Sequence, residues 1–343
     1  MLELFSQGLV IALTLENFVF MLIGAVLGIV FSAIPALTFS TALILLIPIT
    51  FGLSPVAAIS VLLGVFVGGM TGGSISSVLL GIPGTPSAAA TVLDGYTMTK
   101  KGLGGKALGV AIYSSIFGGL VSLVILILVA QPIANVAIKL GPPEMFALVI
   151  FGLSTIIGLS EGSVVKGLLS GLFGLLLCTI GLDPVMGLQR YTFGMPNLMI
   201  GVGLMPVMIG MFALPEVIDS FLTARKNKDK PVEKTEEKVK ASFPSFKEMK
   251  QLFPTNIKAS LIGTFIGAIP GTGGPIAVFM AYDVAKRSNP KVGTGVIDGV
   301  AAPESANNGV TGGALIPLLT LGIPGDSATA ILLGALMIHG LIP

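Results

Sequence analysis

Apolar residues run along this chain in long blocks, not at the period of a soluble helix or strand. From Asn17 to Leu93 no Asp, Glu, Lys or Arg occurs, a stretch of 77 residues. At about 20 residues per spanning helix, that stretch holds three or four membrane elements. It far exceeds the apolar part of a signal peptide, about 7–15 residues. Residues 107–138 and 191–215 also lack these four side chains. Prolines and glycines punctuate the blocks, and they predict an ordered path. A hairpin covers residues 20–48 with a break at Pro35, a crossing covers 56–70, and a second hairpin covers 73–93 with a break at Pro83-Gly84. Four crossings follow, over 107–137, 145–159, 164–180 and 198–214. A third hairpin covers 259–285 around Pro270-Gly271, a crossing covers 296–310, and a fourth hairpin covers 313–339 around Pro324-Gly325.

Composition agrees with that path. Hydrophobic residues make up 53% of the 343 residues and charged residues 10%, against about 25% charged in a soluble domain. Such a chain cannot clothe a water-facing surface, which excludes a cytosolic enzyme, a secreted disulfide scaffold and a nucleic-acid binder. The fold class expected is an all-α polytopic membrane protein. The 46 glycines and 22 prolines sit inside apolar runs, where they suit close-packed and interrupted membrane helices. One cysteine, Cys178, and one histidine, His339, make neither an intrachain disulfide nor a metal cluster or catalytic triad. No enzyme chemistry and no cofactor is expected.

The charge is concentrated. Ten of the 19 Lys and Arg residues lie between Glu216 and Lys258. This basic segment divides the chain into a first transmembrane repeat (1–216), a linker (217–258) and the start of a second repeat (259–343). By the positive-inside rule the linker is cytoplasmic, as are the clusters Lys100, Lys101, Lys106 and Lys286, Arg287, Lys291. The N-terminus has no Lys or Arg through Val10 and is expected outside.

The two halves resemble each other. Residues 28–35 (GIVFSAIP) align with residues 263–270 (GTFIGAIP). Thr71-Gly72-Gly73 aligns with Thr311-Gly312-Gly313, and Gly81-Ile82-Pro83-Gly84 with Gly322-Ile323-Pro324-Gly325. The offsets stay within six residues of one another. Charge swaps sign between the halves: the uncharged loop 49–55 corresponds to basic 286–291, and basic 100–106 corresponds to the uncharged end near 338–343. Inverted-topology repeats built on broken, re-entrant hairpins should show this pattern.

Breaks of this kind occur only inside protein or beside a water-filled cavity, because lipid offers no partner to freed backbone groups. A half-helix that starts after a break aims free N–H groups and about half a positive charge at that cavity, which makes an anion site without Arg or Lys. The expected substrate-binding residues are therefore Thr38, Pro83, Gly84, Thr85, Ser87, Gly271, Thr272, Pro324, Gly325, Asp326 and Ser327, with Ser40 and Gly273 beside them. Gly24, Gly28, Gly263 and Gly267 have the small-xxx-small spacing of helix packing. Glu304, Asn307 and Asn308 form a polar cluster inside an apolar region. A carboxylate at mid-membrane costs about 2.5–3.5 kcal/mol on insertion scales, so it needs a partner or a role, and this cluster is the candidate site for a coupling Na⁺ or proton. Asp94 and Asp298 are expected at membrane boundaries, and His339 as a satisfied structural residue.

Gly72-Gly73 with Gly81-Ile82-Pro83-Gly84-Thr85, Asp94-Gly95-Tyr96, Lys101-Gly102, Gly141-Pro142-Pro143-Glu144, residues 302–308 (APESANN) and Leu321-Gly322-Ile323-Pro324-Gly325 carry a family likeness. The sequence resembles the TctA family, the large membrane subunits of bacterial tripartite tricarboxylate transporters, over essentially its whole length. It departs from the family at Ala36, where Pro-Gly is usual, and at Gly81, where Asn is frequent. It also stops at Pro343, where the family continues through the second repeat, and is read as a fragment. The resemblance implies secondary uptake of tricarboxylates or related small carboxylates across the bacterial inner membrane, coupled to Na⁺ or H⁺. It implies two partners: a small TctB-like membrane subunit and a periplasmic TctC-like substrate-binding protein. The competing readings are a non-transporting membrane scaffold or assembly subunit, and an anion channel.

Overall fold

The computed structural model describes residues 2–34, 37–137, 163–182, 188–199 and 242–342, with residues 139, 141, 143, 144, 146, 147, 150, 201, 202 and 218 between them. Pro35, the crossing expected over 145–159 (save 146, 147 and 150), most of the crossing over 198–214 and most of the basic linker lie outside the described residues. Within them the chain is helical: α1 (Leu2–Ala12), α2 (Leu15–Ala33), α3 (Phe39–Thr50), α4 (Pro55–Leu80), α5 (Ala89–Lys100), α6 (Gly104–Ala137), α7 (Val164–Cys178), α8 (Phe246–Gly267), α9 (Gly273–Ser288), α10 (Ile297–Leu321) and α11 (Ser327–Ile338). A 3₁₀ turn (Pro86–Ala88) precedes α5, and a two-residue antiparallel ribbon pairs Gly181–Leu182 with Gln189–Arg190. Among the described residues, three helices are long and apolar enough to cross a membrane: Leu15–Ala33, Pro55–Leu80 and the stretch Gly104–Val136. The protein is an all-helical membrane protein.

Local chemistry sets the helix ends. Ser54 caps α4 through the Ala57 amide, and Pro55 occupies the first helical position, where its missing N–H costs nothing. Gly81 (φ 69°) and Gly322 (φ 65°) end α4 and α10 in the left-handed conformation, which Gly and then Asn adopt most readily. Ser245 and Glu248 close a capping box on α8, so residues 246–258 at the end of the basic segment are helical. Lys106 pairs with Glu248 there. That hydrogen-bonded ammonium, helped by bonds from Ser245, lowers the Glu248 carboxyl from 4.5 to about 2.

One expectation about the elements is corrected. Thr71-Gly72-Gly73 and Thr311-Gly312-Gly313, expected as junctions between a crossing and a hairpin, lie within the continuous helices α4 and α10. Most of these glycines mark close approaches of helix to helix. A Cβ on Gly72 would stand 2.6 Å from the Ile29 carbonyl oxygen, and one on Gly313 would stand 2.3 Å from that of Thr264. The same contact recurs along both pairs. Gly24 and Gly28 of α2 face the Val61 and Val65 carbonyls of α4, and Gly263 and Gly267 of α8 face the Ala306 and Val310 carbonyls of α10. Since lipid is as apolar as leucine, membrane helices associate through such packing. The small-xxx-small glycines therefore pack as expected.

The two helix pairs meet at α4 and α10. Thr71 Oγ1 donates to Asn308 Oδ1 (3.1 Å), and Asn307 Nδ2 donates to the Met70 carbonyl (2.7 Å). Leu43, Leu62, Phe66, Met70, Leu318 and Leu332 fill the core between α3, α4, α10 and α11.

The helix ends also meet in an ordered way. At one end, Lys101 after α5 donates to the Thr294 carbonyl ahead of α10. Asp94, fully buried, accepts from Tyr282 Oη and from the Gly293, Gly295 and Val296 amides at 2.7–2.9 Å. Asp298 accepts from Thr255 Oγ1 and Asn289 Nδ2. Both aspartates are thus tied into protein at this end of the helices. At another, Thr50 after the core stretch of α3 bonds His339 Nε2 after α11 (2.9 Å), and the imidazole lies beside Phe51. His339 has the structural partners expected of it.

Candidate substrate site

Four chain breaks, two from each half, open onto one cavity of about 280 Å³. Its lining comes from the start of α3 (Thr38, Phe39, Ser40), the turn before α5 (Thr85, Pro86, Ser87), the start of α9 (Gly271, Thr272, Gly273, Gly274, Pro275) and the start of α11 (Asp326, Ser327), with Met70 of α4. Seven of the eleven expected binding residues meet here: Thr38, Thr85, Ser87, Gly271, Thr272, Asp326 and Ser327.

Pro83, Gly84, Pro324 and Gly325 are not among its lining residues. The Gly84 and Gly325 sites are filled by protein: a Cβ on Gly84 would stand 2.0 Å from the Ser32 carbonyl oxygen, and one on Gly325 would stand 2.7 Å from that of Gly267. These glycines let the returning chain lie against its own helices. Gly84 donates its amide to the Gly73 carbonyl, and the Gly271 amide donates to the Gly325 carbonyl, joining two breaks directly.

The four helix starts differ in how their amides are used. Thr38 Oγ1 accepts from the Thr41 amide and caps α3. Asp326 Oδ1 accepts from the Thr329 amide and hydroxyl and caps α11. Thr272 instead donates to the Ile266 and Ile269 carbonyls, so no side chain caps α9. Neither Thr85 nor Ala88 caps the start of the α5 segment; Thr85 and Ser87 bond each other at 3.2 Å. Of each pair of corresponding helices, α3 with α9 and α5 with α11, one start is closed by its own side chain and the other is not. The α9 start, with no capping side chain, is where a carboxylate can accept backbone hydrogen bonds, whereas before α5 Pro86 has no N–H and the Ala88 and Ala89 amides already bond the Thr85 and Pro86 carbonyls. The Asp326 carboxylate holds the α11 start, and Ser327 beside it also lines the cavity.

Glu304 lies mid-helix in α10, fully buried, and not at a helix start. Oε1 accepts from Thr91 Oγ1 of α5 (2.5 Å), and Oε2 accepts from Ser115 Oγ of α6 (3.1 Å). Asn308 donates to the Glu304 carbonyl, and its Oδ1 accepts from Thr71. Asn307 is turned the other way, to α4. Its Oδ1 has no hydrogen-bond partner and lies 3.4 Å from the point where a Gly274 Cβ would stand, directly behind the cavity wall. The polar cluster therefore splits: Glu304 faces α5 and α6, and Asn307 backs the cavity. Thr91, Ser115 and Met70 were not singled out from the sequence, since nothing in one chain pairs position 91 or 115 with 304.

Residues 18–343 match the Tripartite tricarboxylate transporter TctA family. The chain belongs to that family. As a TctA-family chain it is a membrane component of a transport system and not an enzyme. It is 37% identical over 341 residues to an Agrobacterium vitis protein described as an uncharacterized 52.8 kDa protein in the TAR-I ttuC' 3'region, covering 98% of this chain and 67% of that one. It is 45% identical over 84 residues to an uncharacterized protein in the TAR-II ttuC' 3'region of the same organism, covering 24% of this chain and 35% of that one. No solved structure matches.

Proposed function

We propose that this chain is the permease part of a binding-protein-dependent secondary transporter. It imports tricarboxylates or related small carboxylates across the bacterial inner membrane, driven by a Na⁺ or H⁺ gradient. A small TctB-like membrane subunit and a periplasmic TctC-like binding protein are its partners. The observation that carries this reading is the cavity lined by the starts of α3, α9 and α11 and by the turn before α5, with the start of α9 and the Ser87 turn uncapped by any side chain. Backbone amides at the α9 start hold the substrate carboxylates, and the hydroxyls of Thr85, Ser87 and Ser327 fix their position. Pro83, Gly84, Pro324 and Gly325 act one step back, by shaping the breaks. The cavity lies between elements of both halves, as it should in an alternating-access carrier built on repeats. Uptake of a panel of radiolabelled di- and tricarboxylates by proteoliposomes holding the full-length protein and its partners tests the reading. Gradient-driven accumulation is expected. Binding without transport would make the chain a scaffold, and gradient-independent flux would make it a channel.

The halves are related by inverted topology on this proposal. Two contacts support it: basic ends 101 and 294 meet each other, and uncharged ends 50 and 339 meet each other, although residues 50 and 291 are corresponding loops. Gly52→Cys and Lys230→Cys, each in a Cys178→Ser background, should therefore react with an impermeant maleimide from opposite faces of the membrane. Gly52 should be reached from outside, on the side of the N-terminus, and Lys230 in the cytoplasmic linker. Labelling from the same face would overturn the inverted arrangement.

Glu304, Asn307 and Asn308 serve cation coupling in this proposal. Glu304→Gln preserves shape and leaves Thr91 and Ser115 one acceptor oxygen between them. It should change the Na⁺ or pH dependence of uptake about tenfold or more while the order of preference among carboxylates is kept. A wild-type cation profile for the variant would confine Glu304 to a structural role.

A further inference from the structure

At the basic end of the helices, α6 and α8 leave a groove of about 450 Å³ between them, apart from the cavity of the breaks. Phe246, Met249, Lys250, Phe253 and Pro254 of α8 form one side of it, and Tyr113 of α6 the other. Residues 246, 249, 250 and 253 share one helix face by their spacing. Phe253 meets the edge of Phe117 on α6, with ring centroids 5.6 Å apart, so the two walls are held together by aromatic contact. Phe246 is 85% exposed. An aromatic ring so exposed is unfavourable against water and favourable at a membrane interface. Further along both helices the same sides stay bare and apolar: Leu261 of α8 and Leu120 and Val124 of α6 are exposed. From Lys250 to Leu261 a helix rises ~16 Å, about one leaflet of a hydrocarbon layer ~30 Å thick.

Charge at this end is one-sided. Asp94 is taken up by Tyr282 and backbone amides, Glu248 by Lys106, Asp283 by Arg287, and Asp298 by Thr255 and Asn289. Lys247, Lys250, Lys258, Lys286 and Lys291 then have no acidic partner among the described residues. Lys250 alone of these five lines the groove, where no acidic side chain accompanies it.

We propose that this groove binds an anionic phospholipid, with its phosphate on Lys250 and an acyl chain lying along Phe253, Leu261 and Leu120. An exposed cation at the rim, aromatic rings at its level and a bare apolar track one leaflet long are what a lipid with a negative headgroup complements. The site is independent of which solute the protein carries.

The test uses the full-length protein in a non-ionic detergent, with native mass spectrometry to count bound lipid. Phosphatidylglycerol and phosphatidylcholine with identical acyl chains are compared, and glycerol 1-phosphate is added as the headgroup without chains. Wild type should prefer phosphatidylglycerol about fivefold or more, the worth of one lysine near a headgroup. Lys250→Gln should abolish that preference, and Lys250→Arg should keep it. Lys291→Gln, at the same end but away from the groove, should also keep it. Unfolding midpoints near wild type establish that each variant is folded, as expected for an exposed side chain without an acidic partner. Equal loss in Lys250→Gln and Lys291→Gln would reduce the effect to the overall charge of this end and overturn the site. An unchanged preference in Lys250→Gln would overturn it too, as would displacement of the lipid by an equal concentration of glycerol 1-phosphate. No bound lipid on wild type would leave the groove to a protein partner and end the proposal.

Discussion

Asp94→Ala should release the end of α5 from the loop ahead of α10 and unfold the protein at markedly lower temperature. The Asp94 carboxylate accepts four hydrogen bonds, from Tyr282 Oη and the Gly293, Gly295 and Val296 amides, with no exposure to solvent. Its partners come from the second half of the chain, so this one side chain ties the two halves together. Hydrogen bonds to a charged group contribute about 1.5–3 kcal/mol each, and buried donors left unpaired carry their full desolvation cost. The four are not independent, but their joint loss should exceed about 3 kcal/mol, a large share of the roughly 5–15 kcal/mol that holds a domain folded. Asp94→Asn should fare little better, because its amide nitrogen would face backbone N–H groups that need an acceptor. Tyr282→Phe removes one donor of four and should cost about 1.5–3 kcal/mol. Thermal unfolding in detergent, with proteolysis of the 289–296 loop as a local readout, ranks the three. An unchanged midpoint for Asp94→Ala would mean that this junction does not hold the halves.

The sequence made the membrane class, the broken hairpins and the positions of α2, α3, α6, α7, α9 and α11 legible, because each is written locally in an apolar run and the proline or glycine that ends it. The same local logic misread α4 and α10. Thr71-Gly72-Gly73 looks like a stop, but in α4 these residues continue the helix, and Gly72 meets a neighbouring carbonyl. Nothing within ten residues says what a glycine packs against. The partners of Asp94 were not legible for the same reason: its donors lie some two hundred positions away. The candidate site was legible as a set of residue types that follow helix breaks. Seven of those positions do line the cavity. Which starts are capped was not legible, because Thr272 and Thr38 are the same residue in similar places. Only the fold shows one bonding carbonyls behind it and the other bonding the amide ahead.

Gly84→Val should fail by misfolding and not by weakened binding. A Cβ at residue 84 would stand 2.0 Å from the Ser32 carbonyl oxygen, 2.6 Å from Ser76 Oγ and 2.9 Å from the Gly73 Cα. Two of these neighbours are backbone within packed helices and cannot turn aside. Overpacking of a flexible core costs about 1–3 kcal/mol, and a clash with fixed backbone should reach or pass the top of that range. Gly325→Val meets the Gly267 carbonyl and the Ala314 Cα and Cβ at 2.7–2.8 Å, and should behave alike. Gly24→Ala, on the packing face of α2 against α4, would bring its methyl 2.0 Å from the Val61 carbonyl oxygen and should also destabilise. Ser87→Ala is the informative contrast. Ser87 lines the cavity and pairs only with Thr85 there, so its loss should leave insertion and the unfolding midpoint near wild type. Carboxylate affinity should fall by about 0.5–1.5 kcal/mol. Membrane yield, unfolding midpoint and substrate affinity measured on the same four variants separate packing from contact with ligand. Gly84→Val that inserts fully, unfolds like wild type and loses only affinity would return the Ile-Pro-Gly glycines to the binding surface.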